Sequence, residues 1–447
     1  MSAYPAQMSE LRKLHTLQTE DFAKLNLAEP ASIDNWLRSQ AINSTRHAAA
    51  LRPFNKGEFG SNPASPSEAH RQAVNALLQT LRAHLVDESQ RLAGLYRRIS
   101  ESDENQFLIQ RFTALKENAS NWTKATEKVW DYYFELFNQR QSHVAEMLLA
   151  CDRVALDCYQ AVYTKLNEPR SIPSPGPFCY LDAGFAPATF RRYVKLSKLG
   201  KLENPFPLVK LPYHRLVNPW TLGAVAHETS HNLQSDLKLW REIPRAIARN
   251  LLRRGFNKMV TGVWVRWHKE MFADLCGLLL IGPSFVFSLM DILARSTART
   301  AHFNPKSVHP TPYLRVFINL ELLFRMGFDA DAQAIRDIWN QLYPKSVAAY
   351  LPRAFMSSFN RALKIVVDTI CYQQYQQLGN RTLAQTTAFR PQDQVLVAQA
   401  AERLAAGTDP GIIPARFLIG AARSALDRNL VRPESISQNF YNALVRR

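Results

Sequence analysis

Hydrophobic residues recur along this chain at intervals of three and four positions over much of its length, and that spacing predicts a protein built mainly of helices. After Ser67, a residue suited to capping a helix, Val74, Leu77, Leu78, Leu81, Leu85, Leu92, Leu95 and Ile99 fall on one stripe. Phe107, Leu108, Phe112 and Leu115 predict a second helix, and a third is expected from about Asn121 to Lys165. The third carries Trp122, Val129, Trp130, Tyr133, Phe134 and Phe137, an aromatic stripe that reads as bundle core rather than as a ligand box. Pro173, Pro175, Gly176 and Pro177 then stop helix formation, and the short apolar runs Phe178 to Leu181 and Pro207 to Leu211 predict strands of a small antiparallel sheet. Helical spacing returns from Pro219, preceded by Asn218 as N-cap, and again over Val316 to Met326, Ala330 to Leu342 and Ala354 to Gln376. The pattern divides the chain into a polar segment 1–66, a helical bundle 67–170, a central region 171–320 and a C-terminal helical region 321–447. The fold class that follows is mainly α with a small sheet (α+β).

No charge interrupts Leu275 to Met290, yet Gly282 and Pro283 break that run and Asp274 and Asp291 bracket it, so a buried helix pair is expected and not a transmembrane segment. With 447 residues, 46% hydrophobic, the chain is long enough for one large core or two to three ordinary ones. The formal charge of +17 favours anionic partners, but Lys and Arg are spread out and no recognition motif accompanies them, which places nucleic-acid binding behind other functions. Five cysteines without Cys-x-x-Cys spacing predict free thiols. Charges from Glu10 onward and the lack of an apolar leader point to the cytoplasm.

The candidate chemistry lies at His227-Glu228-Thr229-Ser230-His231. On a helix the two imidazoles, at i and i+4, share one face and can hold a metal ion, while Glu228 can reach a water there as general base. Further along, Glu270 and Asp274 are also at i and i+4, on a helix that is otherwise almost wholly apolar. Two carboxylates so placed need a cationic or hydrogen-bonding partner, which a metal site supplies. Pro310 and Pro312 fix a loop that can present His309, with Tyr313 and Arg315 just beyond, and all three residue types can stabilise an oxyanion.

From Asn218 to Pro283 the chain resembles the gluzincin metallopeptidases, in which a His-Glu-x-x-His helix is followed by a helix bearing Glu-x-x-x-Asp. The resemblance implies a zincin-like core holding one Zn²⁺ per chain, with His227, His231 and Glu270 as ligands and Asp274 orienting His227 from behind. It also implies a sheet edge, expected near Val209 to Leu211, that holds an extended peptide substrate. Hydrolysis of a peptide bond would follow, with Glu228 as the base and His309, Tyr313 or Arg315 as donors to the oxyanion. No Gly-x-Met-Glu-Asn segment of the kind that binds a free substrate amine is present, which favours an endopeptidase. A scaffold that keeps zinc for stability alone, or a basic nucleic-acid-associated protein, are the alternatives of a different class.

Overall fold

A computed structural model describes residues 32–101, 106–199, 202–387 and 389–447. It is mainly helical, and its residues gather into two compact units, one of residues up to 52 with 78–127, the other of 53–77 with 128–447. In the first unit, α1 (Ile33–Ala50) is capped by Ser32, whose hydroxyl accepts from the Asn35 amide. Leu37 of α1 shares an apolar core with Leu92, Leu95, Ile99 and Phe112, and the hydroxyls of Ser44 and Ser89 pair within it at 2.8 Å. Ser89, Leu92, Leu95 and Ile99 come from α2 (Glu68–Ser100) and Phe112 from α3 (Gln106–Asn138), the latter a single helix where the sequence spacing suggested two.

The helix expected over 121–165 is broken. A tight turn at Gln139–Gln141 separates α3 from α4 (Ala145–Tyr163). Arg140 accounts for the break: it is fully buried, pairs with Asp152 at 2.8 Å and donates to the Cys179 carbonyl at 2.6 Å, so it holds the turn against the sheet. Periodicity alone carries no signal of a buried ion pair.

The sheet is mixed, which corrects the antiparallel expectation. Strands β1 (Phe178–Leu181), β2 (Ala188–Phe190) and β3 (Leu208–Leu211) lie in the order β1-β3-β2, with β1 parallel and β2 antiparallel to β3. The strand expected to offer its edge to a substrate is therefore the central one, and the free edge next to the site belongs to β2. Burial agrees: three of the four β3 residues are buried, whereas all of β2 is half-exposed. The connection from β2 back to β3 is fixed by Asn204, whose amide donates to the carbonyls of Phe190, Arg191 and Phe206, and by Arg192, which donates to those of Pro173, Pro175 and Pro205. Strands this short show too little alternation to set a direction.

Beyond the sheet run α5 (Gly223–Asp236), α6 (Leu239–Arg253), α7 (Lys258–Ile281) and α8 (Ser284–Leu293). Asn218 does not cap α5; a 3₁₀ turn over Pro219–Thr221 intervenes and α5 begins four residues past Pro219. Helix α7 is capped by Asn257 and ends at Gly282, whose φ of +71° lets the chain reverse with Phe389 packed so closely that any Cβ would sit 2.3 Å from its ring. The uncharged run is thus two helices, and no described helix is long and apolar enough to cross a membrane. Helices α9 (Pro312–Arg325), α10 (Asp329–Leu342), α11 (Arg353–Val367), α12 (Pro391–Ala405), α13 (Phe417–Asp427) and α14 (Pro433–Val445) complete this unit around one continuous apolar core. All five cysteines are buried free thiols.

Candidate metal centre

Helices α5 and α7 pack antiparallel, and close contact between them requires small or shape-matched residues. Gly223 sits against Ile281 and the Ser288 side chain of α8, where a Cβ would come within 2.7 Å of Ser288. Gly277 of α7 is covered by the Phe285 ring at a separation that leaves no room for a methyl group. The approach brings the polar positions of the two helices face to face: His227 with Asp274, and His231 with Glu270.

The distances are those of a preformed cation site. His227 Nε2 and His231 Nε2 lie 3.2 Å apart, Glu270 Oε2 is 3.6 Å from the first and Glu270 Oε1 is 3.3 Å from the second. Zinc bonds of about 2.0–2.1 Å at tetrahedral angles put ligand atoms about 3.3 Å apart, and the two imidazole nitrogens and the nearer Glu270 oxygen of each pair stand close to that spacing. Among the described residues, His227, His231 and Glu270 form the group of ligand atoms that could hold a metal ion. Asp274 Oδ1 stands 2.9 Å from His227 Nδ1 and is 1% exposed, which leaves Nε2 as the nitrogen directed at the shared point.

Arg315 lines the cleft and is bonded to the carboxylates of α7. Its guanidinium donates to Asp274 through Nε at 2.5 Å and Nη2 at 2.8 Å, and to Glu270 through Nη2 at 3.1 Å. Those bonds engage it with the carboxylates rather than with an oxyanion. Asn319, one turn on along α9, reaches Asp274 at 3.5 Å. Tyr313 is buried against Phe317, its carbonyl accepts from the Trp339 indole, and it is not among the residues that line the cleft. His309 does reach the site. Its Nε2 lies 3.6 Å from Glu270 Oε1, its side chain is 62% exposed, and its amide is tied to Ser307 Oγ.

Electrostatics follow from these contacts. Burial raises the Glu228 carboxyl above its usual range, and His227 and His231 oppose that. Burial pushes the Glu270 and Asp274 carboxyls in the same direction, but here the imidazoles and Arg315 prevail and hold both below the ordinary carboxylate range. For His227, burial disfavours the charged ring, yet hydrogen bonding to Asp274 and Glu270 outweighs it and raises the imidazole to about 10. Glu228 thus stands apart as the carboxylate held readiest to accept a proton.

These groups open into a cleft of about 390 Å³ whose walls include Ala186 to Thr189, Gly223, Ala224, Phe285 and Leu289. The β2 segment forms one wall, and Thr189 is tied to α5 by the Asn232 amide at 2.7 Å. Sequence reasoning missed β2, Arg191, Lys269 and Asn319. Asn319 had a usable signal, since Arg315 and Asn319 repeat on α9 the i, i+4 polar pair that drew attention to Glu270 and Asp274. No protein-family model matches the chain, and no curated protein or solved structure matches it either.

Proposed function

We propose that this chain is a zinc-dependent peptide hydrolase of gluzincin type, acting as an endopeptidase from a zincin-like core. The observation that carries the reading is the close grouping of His227 Nε2, His231 Nε2 and the Glu270 carboxylate, near the spacing zinc ligands need, beside a buried carboxylate, Glu228, that forms no ion pair with a Lys or Arg among the described residues. Zinc, when held by these residues, supplies a Lewis acid that polarises a carbonyl and renders water acidic near neutral pH. Only three ligands come from the described chain, and the open side faces the cleft, the arrangement of catalytic rather than structural sites.

Each neighbouring residue then has a task. Glu228 accepts a proton from the attacking water and returns it to the leaving amine, a role suited to a carboxyl raised by burial. Asp274 fixes the tautomer of His227, and Arg315 holds Asp274 and Glu270 as anions in register. His309, exposed over Glu270, donates to the carbonyl oxygen as charge develops there. The free edge of β2 pairs with the backbone of an extended substrate.

The test is Glu228→Gln. It preserves shape but cannot take a proton, so the variant should bind one zinc per chain and lose hydrolysis of a peptide library by about a hundredfold or more. Turnover at the wild-type rate in the zinc-loaded variant, or a wild-type chain that takes up no zinc, would reject the assignment.

A further inference from the structure

The two ends of the cleft differ in chemistry. Gly223 packs against Ile281, His227 faces Asp274 and His231 faces Glu270, so α5 and α7 run in opposite directions along the cleft. The end near Gly223 is apolar, walled by Ala224, Phe285, Leu289 and Ile292. The far end, beyond His231, carries Lys269, the residue before Glu270. It also carries Arg191, because the Thr189 bond to Asn232 sets β2 beside the residue after His231 and Arg191 follows two positions later.

Both cations are half-buried and line the cleft. Like charges side by side in a partly desolvated cleft call for an anion. The cleft's own carboxylates do not fill that role: Glu270 is engaged by His227, His231 and Arg315, and Glu228 sits beside the imidazoles. Neither Arg191 nor Lys269 forms an ion pair among the described residues. Their geometry, a planar fork beside a point charge, suits a carboxylate.

We infer that Arg191 and Lys269 form a subsite for a carboxylate of the substrate, next to the bond that is cleaved. This inference rests on the peptidase reading for the nature of the substrate. The carboxylate can belong to an acidic side chain or to a chain terminus, and the second source would make the enzyme trim peptide ends rather than cut within them.

The test uses the full chain as the zinc-loaded Glu228→Gln variant and measures binding by calorimetry. The probes are hexapeptides of alanine and leucine with Glu or Gln stepped through each position, each made as the free acid and as the C-terminal amide. One carboxylate position should strengthen binding about tenfold over its neutral partner, the scale of a charge-assisted hydrogen bond at a partly buried site. A gain for Glu over Gln identifies a side chain, and a gain for acid over amide identifies a terminus. Adding Arg191→Gln or Lys269→Gln should abolish the gain while zinc content stays at one per chain. Adding Arg299→Gln, in the adjoining cavity, should leave it intact. Equal binding of charged and neutral peptides, a gain that survives loss of both cations, or a gain lost with Arg299 instead would overturn the subsite. The peptidase reading fails on a different result: a wild-type chain that binds no zinc, or that cleaves none of the peptides its Glu228→Gln variant binds.

Discussion

Replacing Arg315 by Met separates its electrostatic role from its volume. The guanidinium is 7% exposed and makes three hydrogen bonds to two carboxylates that are themselves 9% and 1% exposed. Met fills much of the same space, so packing changes little, but Asp274 keeps only His227 and the distant Asn319 amide. Removing one partner of a buried ion pair costs about 3–5 kcal/mol, since the remaining charge is left without compensation. That range should appear as loss of stability of the metal-free chain at pH 7, measured by urea denaturation in the presence of a chelator. The sign with pH is fixed by the direction of the carboxyl shifts. In the wild type the depressed Glu270 and Asp274 stabilise the fold above their unfolded range, and this is lost as pH falls through their folded values. In the variant those carboxyls rise, so the deficit relative to wild type should shrink from pH 7 to pH 5 as one of them takes up a proton. Asp274→Asn combined with Arg315→Met should be less harmful than the two single losses summed, with a coupling of about 1–3 kcal/mol. A single Arg315→Met variant within about 0.5 kcal/mol of wild type would refute the account, because that is the range of an ordinary surface change.

Three further outcomes follow from the site. Glu270→Ala should weaken zinc binding more than Asp274→Asn, for which about 10- to 100-fold is expected, because one change removes a ligand and the other its support; equal affinities in a chelator competition would refute that division. With the metal-free His227 imidazole raised to about 10, the ring is protonated at pH 8, and zinc must displace that proton. Calorimetry in buffers of different ionisation enthalpy should therefore report, at pH 8, release of about one proton per zinc beyond any given up by metal-bound water, where an ordinary imidazole would add almost none. His309→Ala should lower kcat and kcat/KM together by about a hundredfold with zinc content unchanged, and normal turnover would return His309 to the status of a surface residue.

Different parts of the molecule were legible in the sequence to different degrees, and the reasons are physical. The His227, His231, Glu270 and Asp274 cluster was readable because each pair lies one turn apart on a helix, and helical geometry fixes the direction of such side chains. The pairing of the helices was implied by the isolation of Glu270 and Asp274 in an apolar run, which demanded a polar partner. Arg315 was noticed for its charge, but its bonds to Asp274 and Glu270 were not, since nothing in a linear pattern tells whether a buried guanidinium meets a substrate or a carboxylate. Strand order was out of reach: β2 is three residues long and half-exposed, and its place beside β3 depends on Asn204 and Arg192 bonding to loop carbonyls. The break at Gln139–Gln141 depended in the same way on one buried arginine.

The proposal that the cluster is a working site rather than a buried ion network turns on Glu228. A network that served stability alone would pair its charges, and Arg315 does so for Asp274 and Glu270. Glu228 is buried too, at 7% exposed, yet among the described residues it forms no ion pair with a Lys or Arg, and its carboxyl is raised where its two neighbours are lowered. Carboxylates driven apart in this way within one cleft are the arrangement that general-base chemistry needs, because one must stay anionic to hold a cation while another must take and return a proton. The fold sustains that unfavourable burial through the closeness of α5 and α7. Gly223 and Gly277 allow the helices to approach, the approach sets the imidazoles opposite the carboxylates, and Glu228 lies buried in the wall of the cleft beside them.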